Sequence, residues 1–350
     1  MHILGSKVNS RHKNPCNTPL HFAVLNGDTE VVRMLLDKGA NIDATNIHGK
    51  TPLHNAAQSA KPAIVGVLLN HGANVDAANK RGVTPLHLAV KNNSKEITTL
   101  LLSRGANVEG KGNNATTSRG ITADTGSPLH LAVGKGNKEI TKLLLSKGAD
   151  VNARGNDDVT SLHIATRGGY LKIVKQLLKY GADLHSTSPN VQTPLYFAVE
   201  NEHEKVVKLL LEHGANIHAE DKNNKTILYS AVEQGSPIIV ERILKHCPDL
   251  NNKSNSGVLN AAVQGHGFEY NNIVKHLLEY GFTVKPEDAS NFMHAAVQNG
   301  HLELVEELLK HGADVNMLSD SALGKASIPL HVATNNGHEE VANFSLQYVQ

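Results

Sequence analysis

A four-residue phrase, Thr18-Pro19-Leu20-His21, returns as Thr51-Pro52-Leu53-His54 and again as Thr84-Pro85-Leu86-His87. Weaker copies begin at Ser127, Thr160, Thr193, Thr226, Gly257, Asn291 and Ile328. The successive intervals are 33, 33, 43, 33, 33, 33, 31, 34 and 37 residues. Self-similarity at a period of roughly 20–50 residues is the signature of stacked repeats. A chain of 350 residues would otherwise suggest about two or three globular domains. A repeat array instead grows along one axis, each unit touching only its neighbours.

The residues between the phrases show how one copy is built. Thr84 is placed to cap a helix, and Pro85 suits the first helical position because its missing N–H would go unbonded there. Leu86, Leu88 and Ala89 supply an apolar face, and Asn92-Asn93 mark a turn where sister copies carry Gly27 or Gly168. Glu96 to Leu102 has apolar positions at helical spacing, and Gly105 suits a left-handed C-terminal cap. Helices this short are unstable alone, so each copy must bury its stripe against the next.

The phrase, the mid-repeat Gly, the Ile-Val-x-x-Leu-Leu run and the Gly-Ala-x-Val tail together resemble the ankyrin repeat family over about residues 18–343. The resemblance implies an all-α, curved solenoid of about ten helix–turn–helix units joined by β-hairpin-like loops. The array is expected over residues 18–350, with residues 1–17 as the tail of a partial repeat. Three departures are expected: an extended loop over 109–126, an irregular stretch over 246–292, and an atypical C-terminal cap with a longer final hairpin near Leu318 to Ser327. The Gly-, Asn- and Thr-rich residues 110–118 read as a projecting finger. The irregular stretch reads first as sequence drift and second as a hinge or bend, of which Phe268 and Tyr270 would be the aromatic contacts.

Composition narrows the function. Apolar residues make up 40% of the chain and aromatics 4%, with no Trp, which suits thin layers better than a bulky core. Two cysteines imply no disulfide framework and favour a reducing, cytoplasmic setting. Residues 1–7 lack a Sec-type pattern, and no apolar run approaches the roughly 20 residues of a membrane helix. The net charge of +1 hides a gradient: +6 over residues 1–126, +2 over 127–256 and −7 over 257–350.

The repeat accounts for most of the 21 histidines. His21, His54, His87, His130, His163, His294 and His331 take the phrase position, which in ankyrin repeats organises hydrogen bonds around loop and cap. His71, His213, His246 and His311 fall near the end of second helices, and His266, His301 and His338 fall at inter-helix turns. No zinc spacing, phosphate loop, nucleophile elbow or His-Glu-x-x-His appears, so neither a metal, a cofactor nor an enzyme is implied. Nucleic acid binding would want a more basic, aromatic-bearing face.

Ankyrin repeats meet partner proteins through loop tips and the exposed side of first helices. By that resemblance the candidates are Ile47, His48, Lys50 and Gln58 in the second copy and Lys80, Arg81, Val83, Lys91 and Asn92 in the third. Asn156, Asp157 and Arg167 follow in the fifth copy, Asn190, Gln192 and Glu200 in the sixth, and Lys222, Asn223, Lys225 and Glu233 in the seventh. These positions vary between copies while the scaffold positions hardly change. With Arg81 and Arg167 the only residues among them of a type that commonly anchors interfaces, a polar, electrostatically steered interface is expected, one whose association slows as salt rises. The reading is a non-enzymatic scaffold for protein partners. The abundant Asn and Lys are similar to ankyrin proteins of intracellular bacteria, which implies a host-directed effector. The alternatives are the recognition segment of a larger toxin, enzyme or channel, and self-assembly through the opposed end charges.

Overall fold

The computed structural model describes residues 8–12, 16–110, 126–155, 158–246, 257–265, 268–284, 289–310, 313–314, 316 and 328–348. Among these residues lie twenty α-helices in ten consecutive pairs, with only two isolated β-bridges, Arg154 to Thr160 and Glu220 to Thr226. The chain divides into two compact units, Met1–Pro189 and Asn190–Gln350. The first holds α1 (Pro19–Asn26), α2 (Thr29–Asp37), α3 (Pro52–Gln58), α4 (Pro62–Asn70), α5 (Pro85–Lys91), α6 (Lys95–Ser103), α7 (Pro128–Gly134), α8 (Lys138–Ser146), α9 (Ser161–Arg167) and α10 (Leu171–Lys179). The second holds α11 (Pro194–Glu200), α12 (Glu204–Glu212), α13 (Ile227–Glu233), α14 (Pro237–His246), α15 (Val258–Gln264), α16 (Phe268–Glu279), α17 (Ala289–Asn299), α18 (Leu302–Lys310), α19 (Pro329–Asn336) and α20 (Glu339–Tyr348).

Local chemistry sets each pair. Before α5, Thr84 is extended (φ −99°, ψ 167°) and Pro85 opens the helix, which buries Leu86, His87, Ala89 and Val90. In α6, Ile97, Thr98, Leu101 and Leu102 are buried while Lys95, Glu96 and Thr99 face outward. Gly105 then turns left-handed (φ +82°), so that the Ala106 N–H donates to the Leu101 carbonyl at 3.0 Å and closes the helix end. Within each unit the odd-numbered helices pack on one another in sequence, and so do the even-numbered ones. Two layers result. Alanines on the first helices (Ala56, Ala89, Ala132 and Ala165, all fully buried) let neighbours approach closely.

Three sets of hydrogen bonds tie one repeat to the next. In the phrase, the Thr51 N–H and hydroxyl lie 3.1 and 2.8 Å from His54 Nδ1, and His54 Nε2 lies 2.9 Å from the Val83 carbonyl of the following repeat. Because the backbone N–H donates to Nδ1, the ring proton sits on Nε2 and is donated to that carbonyl. His21 does the same with Thr18 and Lys50, and His130 bridges Ser127 to Val159. Tails form a second ladder: Asp43 accepts from the Asn74 N–H, Asp76 from Asn107, and Glu109 from Asp150. Turn residues form the third, capping first-helix carbonyls of the preceding repeat. Lys61 donates to Leu25, Asn92 to Gln58, Tyr270 to Glu233 and Asn299 to Val263.

Several departures from the sequence expectations have local causes. His294 is only half-buried and His331 is exposed; their helices lack the Thr that fixes the ring, Ile328 standing in its place before α19. Tyr270 serves the scaffold: its ring packs on Gly235 and Gly265 while its hydroxyl caps α13. Tyr170 packs likewise on Gly136 and Gly168. The Phe268 side chain lies outside the described residues, as do residues 111–125, 247–256 and 317–327.

The long interval does not interrupt the stack. α5 packs on α7 directly, and Gly110 (φ +65°) and Gly126 (φ +65°) are the described residues that flank the insertion in sequence. His87 points toward the Gly126 carbonyl, just before the next phrase, but its Nε2 reaches no acceptor in good hydrogen-bond geometry among the described residues. A Cβ on Gly110 would stand 2.8 Å from His87 Nε2 and 2.9 Å from Nδ1. Gly110→Ala therefore meets both a backbone penalty and a clash with a buried ring, and is expected to cost about 2–4 kcal/mol. Urea denaturation checks it; an unchanged midpoint would show that the ring moves aside freely.

Candidate partner-binding surface

The loop tips are shaped by one side chain each. Asn46 Oδ1 accepts the N–H groups of His48 (3.0 Å) and Lys50 (3.1 Å), and Asn79 Oδ1 those of Arg81 (2.8 Å) and Val83 (3.1 Å). Asp221 Oδ1 accepts those of Asn223 (2.7 Å) and Lys225 (3.0 Å). Such turns fold the backbone around a short polar side chain and leave the tip residues outside. Burial alone would raise the Asp221 carboxyl, but the N–H groups of Lys225 and Asn223 and the Tyr196 hydroxyl hold it below its ordinary value. Tyr196 stands where other copies carry the phrase His, and its hydroxyl reaches Asp221 at 3.3 Å.

Every described candidate is exposed or half-buried. Ile47, His48, Lys80, Arg81, Lys91, Asn92, Arg167, Asn190, Glu200, Lys222, Asn223 and Glu233 are exposed; Lys50, Val83, Gln192 and Lys225 are partly covered. Gln58 is exposed at the end of α3. Asn156 and Asp157 lie outside the described residues. Asn92 also serves the scaffold, as the cap of α3 described above.

In the first unit these positions converge. His48, Lys50, Gln58, Lys80, Arg81, Val83 and Lys91 line one groove of about 480 Å³. The Lys80 N–H donates to the His48 carbonyl at 3.2 Å, joining adjacent tips. Lys50 Nζ lies 2.6 Å from Gln58 Oε1. Its ammonium is held below the usual lysine range, first by burial and then by the nearby charges of Lys91 and Arg81. Asn79 and Leu88, outside the candidates, also line the groove. Their signal was present in the sequence: an Asn or Asp five residues before the phrase Thr sets the tip, and Leu88 shares a helix face with Lys91.

In the second unit, the Lys225 ammonium lies 2.7 and 2.8 Å from the Glu233 carboxylate, and 5.0 Å from the Tyr229 ring centre. Glu233 raises the Lys225 pKa. Lys222 Nζ donates to Asn190 Oδ1 at 3.1 Å, again linking successive tips. Among the described residues no group of three or more His, Cys, Asp or Glu side chains could hold a metal ion, and no helix is long and apolar enough to cross a membrane.

The family model for ankyrin repeats matches residues 2–79, 20–112, 109–188, 162–255 and 259–348. Among solved structures the chain is similar to the ankyrin repeat domain of human ASB11 (26% identity, TM-score 0.56, covering 67% of this chain and 99% of that one). It is also similar to the ankyrin repeat domain of Bcl-3, a member of the IkappaB protein family (28% identity, TM-score 0.55, covering 65% and 98%). A shorter stretch of 43 residues is 54% identical to the human palmitoyltransferase ZDHHC17, spanning 12% of this chain and 7% of that enzyme's length. With the helix pairs, the His-bridged phrases and these matches in agreement, the chain belongs to the ankyrin repeat family.

Proposed function

We propose that this protein is a non-enzymatic scaffold that holds partner proteins on its loop tips and first helices. One observation carries the reading. The positions that differ from copy to copy are the ones left exposed there, whereas the repeated positions are buried or hydrogen-bonded between repeats. Varied side chains on an invariant frame are what a recognition surface needs, and protein interaction is the general role of ankyrin repeats. A photo-crosslinking residue placed at Ile47 or Glu200 is expected to capture protein in its native cell, and one at Lys142 or Lys205, exposed on second helices, is not. Equal capture from both faces would overturn the assignment.

The narrower reading, a host-directed effector working in the cytoplasm of the cell it enters, draws on the Asn- and Lys-rich composition. Fractionation of host cells tests it: tagged protein in host cytosol supports delivery, and confinement to the producing cell overturns it.

A further inference from the structure

Lys50 and Lys225 hold the same place in their repeats, immediately before the Thr that opens a first helix, and each reaches the last residue of that helix. The reached groups differ. Lys225 meets the Glu233 carboxylate and is neutralised on the spot. Lys50 meets the neutral amide of Gln58. The next repeat carries Lys91 where the seventh carries Glu233, and adds Lys80 and Arg81 at its tip. Lys50, Lys80 and Lys91 thus line one groove whose wall, among the described residues, holds no carboxylate.

Like charges gathered over partly covered surface repel, and an anion seated among them relieves that repulsion. The groove is too large for a single ion and of a size that takes a ligand segment. Val83 and Leu88 give it an apolar floor for aliphatic stems, and among the described residues no Phe, Tyr or Trp lines it to stack a base. We infer that the groove between the second and third tips holds an acidic segment of a partner protein, whose carboxylates bridge Lys50 to Lys91 and meet Lys80. This rests on the scaffold reading and names the chemistry of one occupant.

The test measures fluorescence anisotropy of a labelled decaglutamate peptide against the full chain. Binding is expected at about 50 mM salt and is expected to weaken steeply by about 300 mM. The variant Lys50→Gln, Lys80→Gln, Lys91→Gln should lose at least about tenfold in affinity. Gln58→Glu alone, which recreates the local pair of the seventh repeat, should lose severalfold. Lys205→Gln, exposed on a second helix of the second unit, should bind as wild type. Unchanged denaturation midpoints guard against misfolding, and Gln58→Glu keeps the test decisive if the triple variant fails to fold. Undiminished binding by either groove variant, equal loss in Lys205→Gln, or tighter binding of an oligonucleotide of the same charge overturns the proposal. No decaglutamate binding by the wild-type chain also overturns it. If crosslinking through Ile47 persists in that case, the scaffold reading stands and only the occupant falls.

Discussion

Lowering the pH from about 7.5 to about 5 is expected to destabilise the first unit by roughly 4 kcal/mol, mainly through His54 and His87. Burial lowers both rings from 6.5 to about 4, against the raising effect of the carbonyls they face. A buried neutral ring whose Nδ1 accepts the Thr51 N–H must lose that bond on protonation. In the unfolded chain each histidine takes up its proton near 6.5, so the unfolded state binds more protons between about 6.5 and 4. The stabilisation is full above that window and is lost as pH falls through it, at about 2 kcal/mol for each ring by pH 5. His21 and His130 are shifted in the same direction, again chiefly by burial, and His301 in the second unit is lowered to about 4. Urea denaturation at the two pH values, with proton NMR titration of the imidazole signals, checks this. Equal midpoints, or His54 and His87 signals that titrate near 6.5, would refute it.

Replacing His54 by Ala is expected to cost about 3–5 kcal/mol. The ring is fully buried, so its removal leaves a cavity in the first-helix layer. It also strands two polar groups, the Thr51 N–H and the Val83 carbonyl. The second of these belongs to the next repeat, at the end of the turn that presents Lys80 and Arg81. The substitution should therefore raise amide exchange at Arg81 and Val83 and lower decaglutamate affinity, although neither His54 nor Thr51 touches the groove. His54→Phe restores most of the volume and none of the hydrogen bonds, and is expected to recover stability only in part. A His54→Ala chain that denatures within about 1 kcal/mol of wild type would show that the bridge between repeats is dispensable.

Much of this architecture was legible in the residues, because each repeat carries its instructions locally. Thr-Pro before an apolar run, a Gly or Asn at the turn and a Gly at the tail settle helix starts and stops within a few residues of themselves. The candidate surface was legible for a related reason: positions that change between copies are released from packing. Less legible were side chains whose role depends on a neighbouring copy. Tyr270, standing out as an aromatic contact, proves to be a staple over Gly235 and Gly265 that caps α13. Its part is set by a glycine thirty-five residues earlier. His331 repeats the phrase in sequence yet is exposed, because Ile328 supplies no hydroxyl to hold the ring.

The sequence alone determined that the chain stacks short helix pairs, since neither helix is stable until its stripe meets the next copy. It also determined which residues are frame and which are free to vary. Only the tertiary structure decided which of the free residues meet. Lys50 and Glu233 occupy variable positions of equal standing in the sequence, but one lysine faces an amide beside Lys91 and Arg81 while its counterpart, Lys225, closes on a carboxylate. Each lysine meets its partner eight residues along the chain, but the charges of Arg81 and Lys91 belong to the next repeat and are brought beside Lys50 by the histidine and tail hydrogen bonds between repeats. Local periodicity carries no information about such pairings, because electrostatic energy depends on distances across the stack and not along the chain.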